Sequence, residues 1–215
     1  MLTSYLTRPL LTPDELARVH SLVRSGFFAA PDFPRAQNNT EMVSGVEKYD
    51  VSKIVFDALA RDTQFGDFVF PKQSTTIIVS RTLEGQGFRA HHDYATNGHY
   101  STTVFLSDPT TYDGGALTLY LEGEEREFRL PAGNAITYHT GVPHCVTPVT
   151  RGERLAAVFW TTSLVADSRY RQILSDLRHV RSLLPSDFTY DLSQSVEDPA
   201  FLIQGVENKL IQLLL

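Results

Sequence analysis

The sequence predicts a mainly β protein with helices at both ends, its strands folded into a double sheet closed like a jelly roll. Three observations carry that expectation. Between residues 67 and 165 the chain breaks into roughly eight short β-rich runs separated by tight-turn residues. On either side of that stretch the apolar residues switch to helical spacing. Hydrophobic residues make up 42% of the 215 and charged ones 20%, enough to close a core and incompatible with disorder or a collagen-like chain.

Thr12-Pro13-Asp14-Glu15 reads as a helix start. Thr12 can cap, Pro13 suits the first helical position, and Glu15 can reach back to complete a capping box. Leu16, Val19, Leu22 and Val23 then recur at helical spacing until Gly26. Residues 27–49, with their Pro, Asn and Gly, read as an irregular connection. A second helix is expected from Asp50, with Val51, Ile54, Val55, Ala58 and Leu59 on one face.

The expected strands are Phe68–Phe70, Thr75–Thr82, Phe88–Asp93, Thr102–Ser107, Ala116–Leu121, Glu125–Leu130, Ala135–His139 and Arg154–Thr161. Their breakers include Gly85 to Gly87, Asp113-Gly114-Gly115, Gly123, Pro131 to Gly133 and Arg151-Gly152. Beyond Trp160, Ile173, Leu174, Leu177 and Val180 share a helical face, and Phe201–Leu215 forms a last amphipathic segment. With no internal repeat and no low-complexity tract, 1–215 reads as one domain. It would have a helical N-terminal flank (about 1–66), a jelly-roll core (about 67–165) and a helical C-terminal flank (about 166–215).

The formal charge is −6 and no Lys/Arg cluster stands out, which disfavours a nucleic-acid partner held through phosphates. Cys145 is the only cysteine, so an intramolecular disulfide is excluded. Met1 to Leu11 lacks a charged n-region and no apolar run reaches membrane-spanning length, so no membrane partner and a cytoplasmic location are expected. The oligomeric state stays open, a homodimer included.

The chemistry-bearing residues are His91, Asp93, His144 and Arg154. On a strand, residues i and i+2 face one side, roughly 6–7 Å apart by rise, so His91 and Asp93 can converge on one ion. His144, 53 residues after His91 (144 − 91), would come from a neighbouring strand. Two histidines and one carboxylate form the facial triad that suits Fe(II) with open positions. Alternation places Arg154 on a strand face with Ala156, Val158 and Trp160, where burial demands a carboxylate partner. A guanidinium fork matches a carboxylate at two points, so a 2-oxo dicarboxylic acid would answer both the metal and the arginine.

Each part alone has a bland reading. A chance His-x-Asp somewhere in such a chain has a probability of about a third. His144 alone could be a turn histidine, and Arg154 half of a cross-strand ion pair. His20, His92, His99, His139 and His179 read as structural or surface residues, and Cys145 as a packing residue.

The joint pattern resembles a known family. Thr103 to Pro109 with Tyr112-Asp113-Gly114-Gly115, then Pro131-Ala132-Gly133, then His144 followed by Thr147 to Gly152, look like the bacterial PKHD-type hydroxylases. These are prolyl 4-hydroxylase-like dioxygenases dependent on Fe(II) and 2-oxoglutarate. The likeness is dense from about residue 82 to 165, looser at Gln37-Asn38-Asn39, and faint at the C-terminus. It implies a double-stranded β-helix (cupin-like) core, iron on His91, Asp93 and His144, and Arg154 on the distal carboxylate of 2-oxoglutarate. It further implies O2 as co-substrate, succinate and CO2 as co-products, a peptide, amino acid or small metabolite as substrate, and compatibility with an L-ascorbate requirement.

Two departures stand out. The family's Tyr-x-x-Gly-x-x-Tyr-x-x-His-x-Asp approach reads Thr82-x-x-Gly85-x-x-Phe88-x-x-His91-x-Asp93 here, so two phenols are missing. The link from Asp93 to the Ser101–Thr103 strand is also short. The competing classes are a non-oxidative cupin-like metalloprotein holding Zn(II) or Ni(II), and a catalytically idle binding module of the same fold.

Overall fold

The computed structural model describes residues 4–31, 38–184 and 198–214. The chain begins with strand β1 (Tyr5–Pro9), helix α1 (Pro13–Ser25), β2 (Phe28–Ala29) and β3 (Thr40–Met42). Helices α2 (Val46–Ala60) and α3 (Thr63–Val69) follow. The strand-rich middle holds β4 (Pro71–Ser74), β5 (Ile78–Leu83), β6 (Phe88–His91), β7 (Tyr100–Phe105) and β8 (Asp113–Gly114). It continues with β9 (Leu117–Leu121), β10 (Glu124–Phe128), β11 (Asn134–His139), β12 (His144–Val146), β13 (Val149–Arg151) and β14 (Glu153–Ser163). Two helices, α4 (Ser168–Leu183) and α5 (Pro199–Leu214), close the described chain. No described helix is long and apolar enough to cross a membrane.

Among the described residues, eight strands make a major sheet in the order β1-β11-β7-β14-β5-β3-β2, with β4 also on β14. Four make a minor sheet, β10-β9-β12-β6. All the ladders between these strands are antiparallel. The architecture is the expected double-stranded β-helix with flanking helices.

Strand alternation sorts the major sheet into two faces. Val79, Val104, Ala135, Ala157 and Phe159 point outward and pack with Val19 and Val23 of α1 and Val51, Ile54 and Val55 of α2. The opposite face carries Phe105, Ile136 and Tyr138 and packs against Leu117, Leu119 and Val146 of the minor sheet. The helices thus wall off one side of the major sheet, and the other side looks into the space between the sheets.

Local sequence explains the helices. Thr12 Oγ1 accepts from Glu15 N–H while the Glu15 carboxylate accepts from Thr12 N–H, the anticipated capping box. The buried residues of α2 are Val51, Ile54, Val55, Ala58 and Leu59, the face the periodicity picks out, although the helix begins at Val46 rather than Asp50.

The N-terminal flank is not purely helical. β1, β2 and β3 all join the major sheet, and β1 forms its edge beside β11. An edge position tolerates Pro9, and that proline also blurs the strand pattern in the sequence. Phe68–Phe70 is not a strand. Asp62 accepts from Phe65 N–H, and the short helix α3 buries Phe65 and Val69 four residues apart. Phe70 ends it in the left-handed region at φ 50°. A three-residue apolar run cannot by itself distinguish the two conformations.

On α4, Leu174 is buried but Ile173 and Val180 are exposed. The buried partner of Leu174 on that helix is Arg171, which donates to the carbonyls of Val165 and Ala166. Within 27–49, β2 and β3 supply regular structure, and Gln37 lies outside the described residues, as does Leu215 of the terminal segment.

Candidate metal centre

Strand β6 ends at His91, so Asp93 stands just past the strand rather than on it. The two side chains converge nonetheless. His91 Nε2 lies 3.8 Å from Asp93 Oδ1, and His144 Nε2 lies 3.7 Å from Asp93 Oδ2. His91 and His144 are cross-strand partners on β6 and β12, with ring centroids 4.4 Å apart. One donor atom from each of the three residues falls within 4.8 Å of the others, a set able to hold a metal ion.

The ring orientations are fixed from behind. His91 Nδ1 donates to the Arg89 carbonyl at 2.8 Å and His144 Nδ1 donates to the Val142 carbonyl at 2.9 Å. Each bond places the proton on Nδ1 and leaves the Nε2 lone pair facing the carboxylate, the tautomer a metal ligand needs. Burial lowers the His144 pKa, and the attraction of Asp93 opposes that shift without reversing it, so the ring is held neutral. Ser101 Oγ donates to Asp93 Oδ2 at 2.6 Å, tying the carboxylate to β7 of the major sheet.

His92 is not part of this set. It is exposed and its Nδ1 meets the Gly141 carbonyl at 3.1 Å, although the residue lines the same cavity. His20 contacts the Leu106 carbonyl, His99 accepts from Ser163 N–H, and His139 accepts from Gly141 N–H, so all three are engaged with backbone.

The three converging side chains open onto a cavity of about 750 Å³ between the sheets. Arg154, Thr103, Tyr138 and Trp160 line it from the major sheet, and Leu117 and Val146 from the minor one. Arg154 is 2% exposed, its guanidinium over the Phe105 ring at 5.5 Å. Gly115 makes room for its stem: with φ at +61°, a Cβ there would lie 3.1 Å from Arg154 Cδ. Burial lowers the Arg154 pKa, and the groups opposing the shift are the phenols of Tyr112 and Tyr138, not a carboxylate. Its Nε has no hydrogen-bond partner among the described residues, and neither does Thr82 Oγ1 on the paired position of β5. A buried, incompletely paired guanidinium lining a cavity fits an anionic ligand.

Residues 77–162 match the 2OG-Fe(II) oxygenase superfamily. A PKHD-type hydroxylase of Thermosynechococcus vestitus is 36% identical over 190 residues, covering 81% of this chain and 85% of the relative. The chain belongs to the PKHD-type hydroxylases. It is thereby a member of the 2-oxoglutarate- and Fe(II)-dependent oxygenases. Solved structures agree on the fold. A 2OG-Fe(II) oxygenase family oxidoreductase from Burkholderia pseudomallei superposes with a TM-score of 0.59 at 21% identity, covering 74% of this chain and 84% of that one. A Trichoplax adhaerens prolyl hydroxylase, in complex with a hypoxia inducible factor oxygen degradation domain peptide fragment, gives 0.58 at 16%, covering 79% and 86%.

For this PKHD-type hydroxylase the structure brings all four sequence-derived residues to one cavity. It adds groups the sequence did not single out. The carbonyls of Arg89 and Val142 are invisible to any side-chain motif. Ser101 stands eight residues after Asp93, and only the approach of β7 to the end of β6 makes it a partner. Ser101→Ala is expected to weaken metal binding about 10- to 100-fold, as loss of a carboxylate-orienting hydrogen bond does. Anaerobic Fe(II) titration of the folded variant checks it.

Proposed function

We propose that residues 1–215 act as a single catalytic unit, hydroxylating a C–H bond of a peptide, amino acid or small metabolite, with succinate and CO2 as co-products. In this reading His91, Asp93 and His144 hold Fe(II), and Arg154 binds the distal carboxylate of 2-oxoglutarate. The observation that carries it is the pairing of the His-Asp-His cluster with a buried, incompletely partnered arginine in one cavity. A zinc or nickel protein working without oxidation has no use for such an anchor, and an idle module has no use for either part.

When bound, Fe(II) with 2-oxoglutarate and O2 supplies the oxidising power for C–H hydroxylation, and ascorbate would keep the metal ferrous. The chain's own residues do the rest. Arg89 and Val142 carbonyls hold the two imidazoles in the ligating tautomer. Ser101 holds Asp93. Arg154 orients the co-substrate by charge and by its planar fork. The apolar walls from Leu117, Val146 and Val158 limit water around the reacting groups.

Anaerobic addition of Fe(II) and then 2-oxoglutarate is expected to give the weak visible metal-to-ligand charge-transfer band. No band in the wild type would sink the proposal. Succinate formation, screened across peptides and amino acids, then addresses the substrate.

A further inference from the structure

The short link between Asp93 and β7 brings a histidine to the corner where β7, β11 and α4 meet. His99 N–H donates to the Thr161 carbonyl, and the His99 carbonyl accepts from Thr140 N–H, which pins the residue between β14 and the end of β11. Beside it, Tyr100 stands opposite His139 in the ladder of β7 and β11, with ring centroids 5.9 Å apart. Alternation places Tyr100 and His139 on the face of Val104 and Ala135, across the sheet from the metal cavity. From α4, the Arg171 guanidinium sits over the same Tyr100 ring at 5.1 Å. Arg171 is buried, His99 half-buried and His139 exposed, so the cluster opens to solvent on its imidazole side.

These two imidazoles are held in the tautomer opposite to that of His91 and His144. His99 Nδ1 accepts from Ser163 N–H at 2.9 Å, and His139 Nδ1 accepts from Gly141 N–H at 3.2 Å. Each neutral ring therefore carries its proton on Nε2 and offers a donor there, not a lone pair. A metal ion finds no ligand in such a pair, whereas an anion finds two donors. The charges point the same way. Of the buried arginines Arg8, Arg154 and Arg171, the first is ion-paired with Asp62, and Arg171 meets no carboxylate at ion-pair distance among the described residues. Its Nη1 donates to the Val165 and Ala166 carbonyls, and its Nε has no partner there. The acids of α3 and α4 are engaged elsewhere: Asp167 holds Arg169 at 2.6 Å, Asp67 holds Arg178 at 2.8 Å, and Asp176 accepts from Gln172. Burial first, and then the charge of Arg171, lower the pKa of both imidazoles, with His99 adding to the effect on His139 and no carboxylate opposing it.

We propose that His99 and His139 form an oxyanion site, their Nε2–H groups donating to a phosphate group while the buried charge of Arg171 draws it in. A phosphate carries about −1.5 to −2 charge at neutral pH and several strong acceptor oxygens. It thus answers two fixed donors and an uncompensated guanidinium together. The same chemistry comes as free phosphate or as the phosphate of a larger ligand. The site makes no use of the 2-oxoglutarate reading, yet it is joined to the cavity through one peptide unit on each side of a single residue. Gly141 N–H goes to His139, and the Gly141 carbonyl goes to His92 in the cavity wall.

The test separates this site from the cavity. Inorganic phosphate is titrated calorimetrically into wild type, His99→Ala, His139→Ala and Arg154→Met, each held anaerobically with Fe(II) and excess 2-oxoglutarate, with folding checked by circular dichroism. Loss of one donor to a charged acceptor is expected to weaken phosphate about tenfold in either histidine variant, while Arg154→Met stays within about twofold of wild type. No saturable phosphate binding by the wild type overturns the proposal. So does unchanged affinity in a folded His139→Ala, or a loss confined to Arg154→Met, which would put the phosphate in the cavity. Titration with O-phosphoserine and with serine then distinguishes the sources. Tighter binding of O-phosphoserine supports the site as a reader of phosphorylated ligands, and equal or weaker binding supports it as a site for the free ion. Binding of serine itself overturns phosphate recognition.

Discussion

Replacing His144 with alanine is expected to reduce Fe(II) affinity at least 100-fold and turnover to background while the fold survives. Disturbing a partner of a metal ligand already costs about 10- to 100-fold, so losing the ligand itself costs no less. The imidazole is 5% exposed, its Nε2 faces Asp93, and neither Cys145 nor Val146 on the same strand can offer an equivalent nitrogen. The fold is insulated from the loss. β12 pairs with β9 on one side and β6 on the other through backbone, and the vacated volume opens onto the existing cavity. The cost should therefore fall below the about 2–5 kcal/mol of a sealed Leu→Ala cavity. His92→Ala provides the control, with iron retained within about threefold because that ring is turned to Gly141. Anaerobic Fe(II) titration and circular dichroism on the three variants decide it. Iron lost in His92→Ala and kept in His91→Ala would mean that the ligand assignment on β6 is wrong.

The legible and illegible parts of this molecule divide along physical lines. The capping box at Thr12 and the buried face of α2 are local patterns, and the structure reproduces them residue by residue. The alternation Arg154, Val158, Trp160 places three side chains in one cavity because β14 is a long strand flanked on both sides, where the pleat is enforced by its neighbours. His91 and Asp93 converge for a reason other than the i, i+2 spacing of a strand. Asp93 is off the strand, and the two side chains meet because Ser101 on β7 draws the carboxylate in, not through the pleat alone. What failed did so for want of tertiary information. β1 is a short edge strand ending in proline, stabilised by β11 some 130 residues away, and nothing local marks it. Phe68 and Val69 have the composition of a strand but follow an Asp62 cap that starts a helix. Tyr138 lies in an expected strand, yet its face becomes informative only when β7 fixes its register against Arg154.

Arg154→Met is expected to weaken 2-oxoglutarate binding roughly 100-fold or more while making the ligand-free protein no less stable, and up to about 4 kcal/mol more stable. Truncating one partner of a buried charge pair typically costs about 2–5 kcal/mol of binding, which sets the first magnitude. The second follows from the state of the arginine without ligand. Its guanidinium is buried, its Nε is unpartnered among the described residues, and its relief comes from phenols and the face of Phe105 rather than from a carboxylate. Methionine keeps the unbranched stem that Gly115 accommodates, adds no uncompensated charge, and replaces polar burial by apolar burial, a change often neutral or stabilising by about 1–4 kcal/mol. The two effects are read in one experiment, thermal unfolding under anaerobic Fe(II) with and without 2-oxoglutarate. Wild type should start lower and rise with ligand, because binding to the native state alone stabilises it by mass action. The variant should start at least as high and hardly move. A variant that starts well below wild type would show that Arg154 is satisfied within the protein and holds the strands together. One that still rises with 2-oxoglutarate would show that the dicarboxylate is anchored elsewhere. Only the combination of a stable apo protein and a lost ligand response is the mark of an arginine kept at a cost to folding for the sake of the co-substrate.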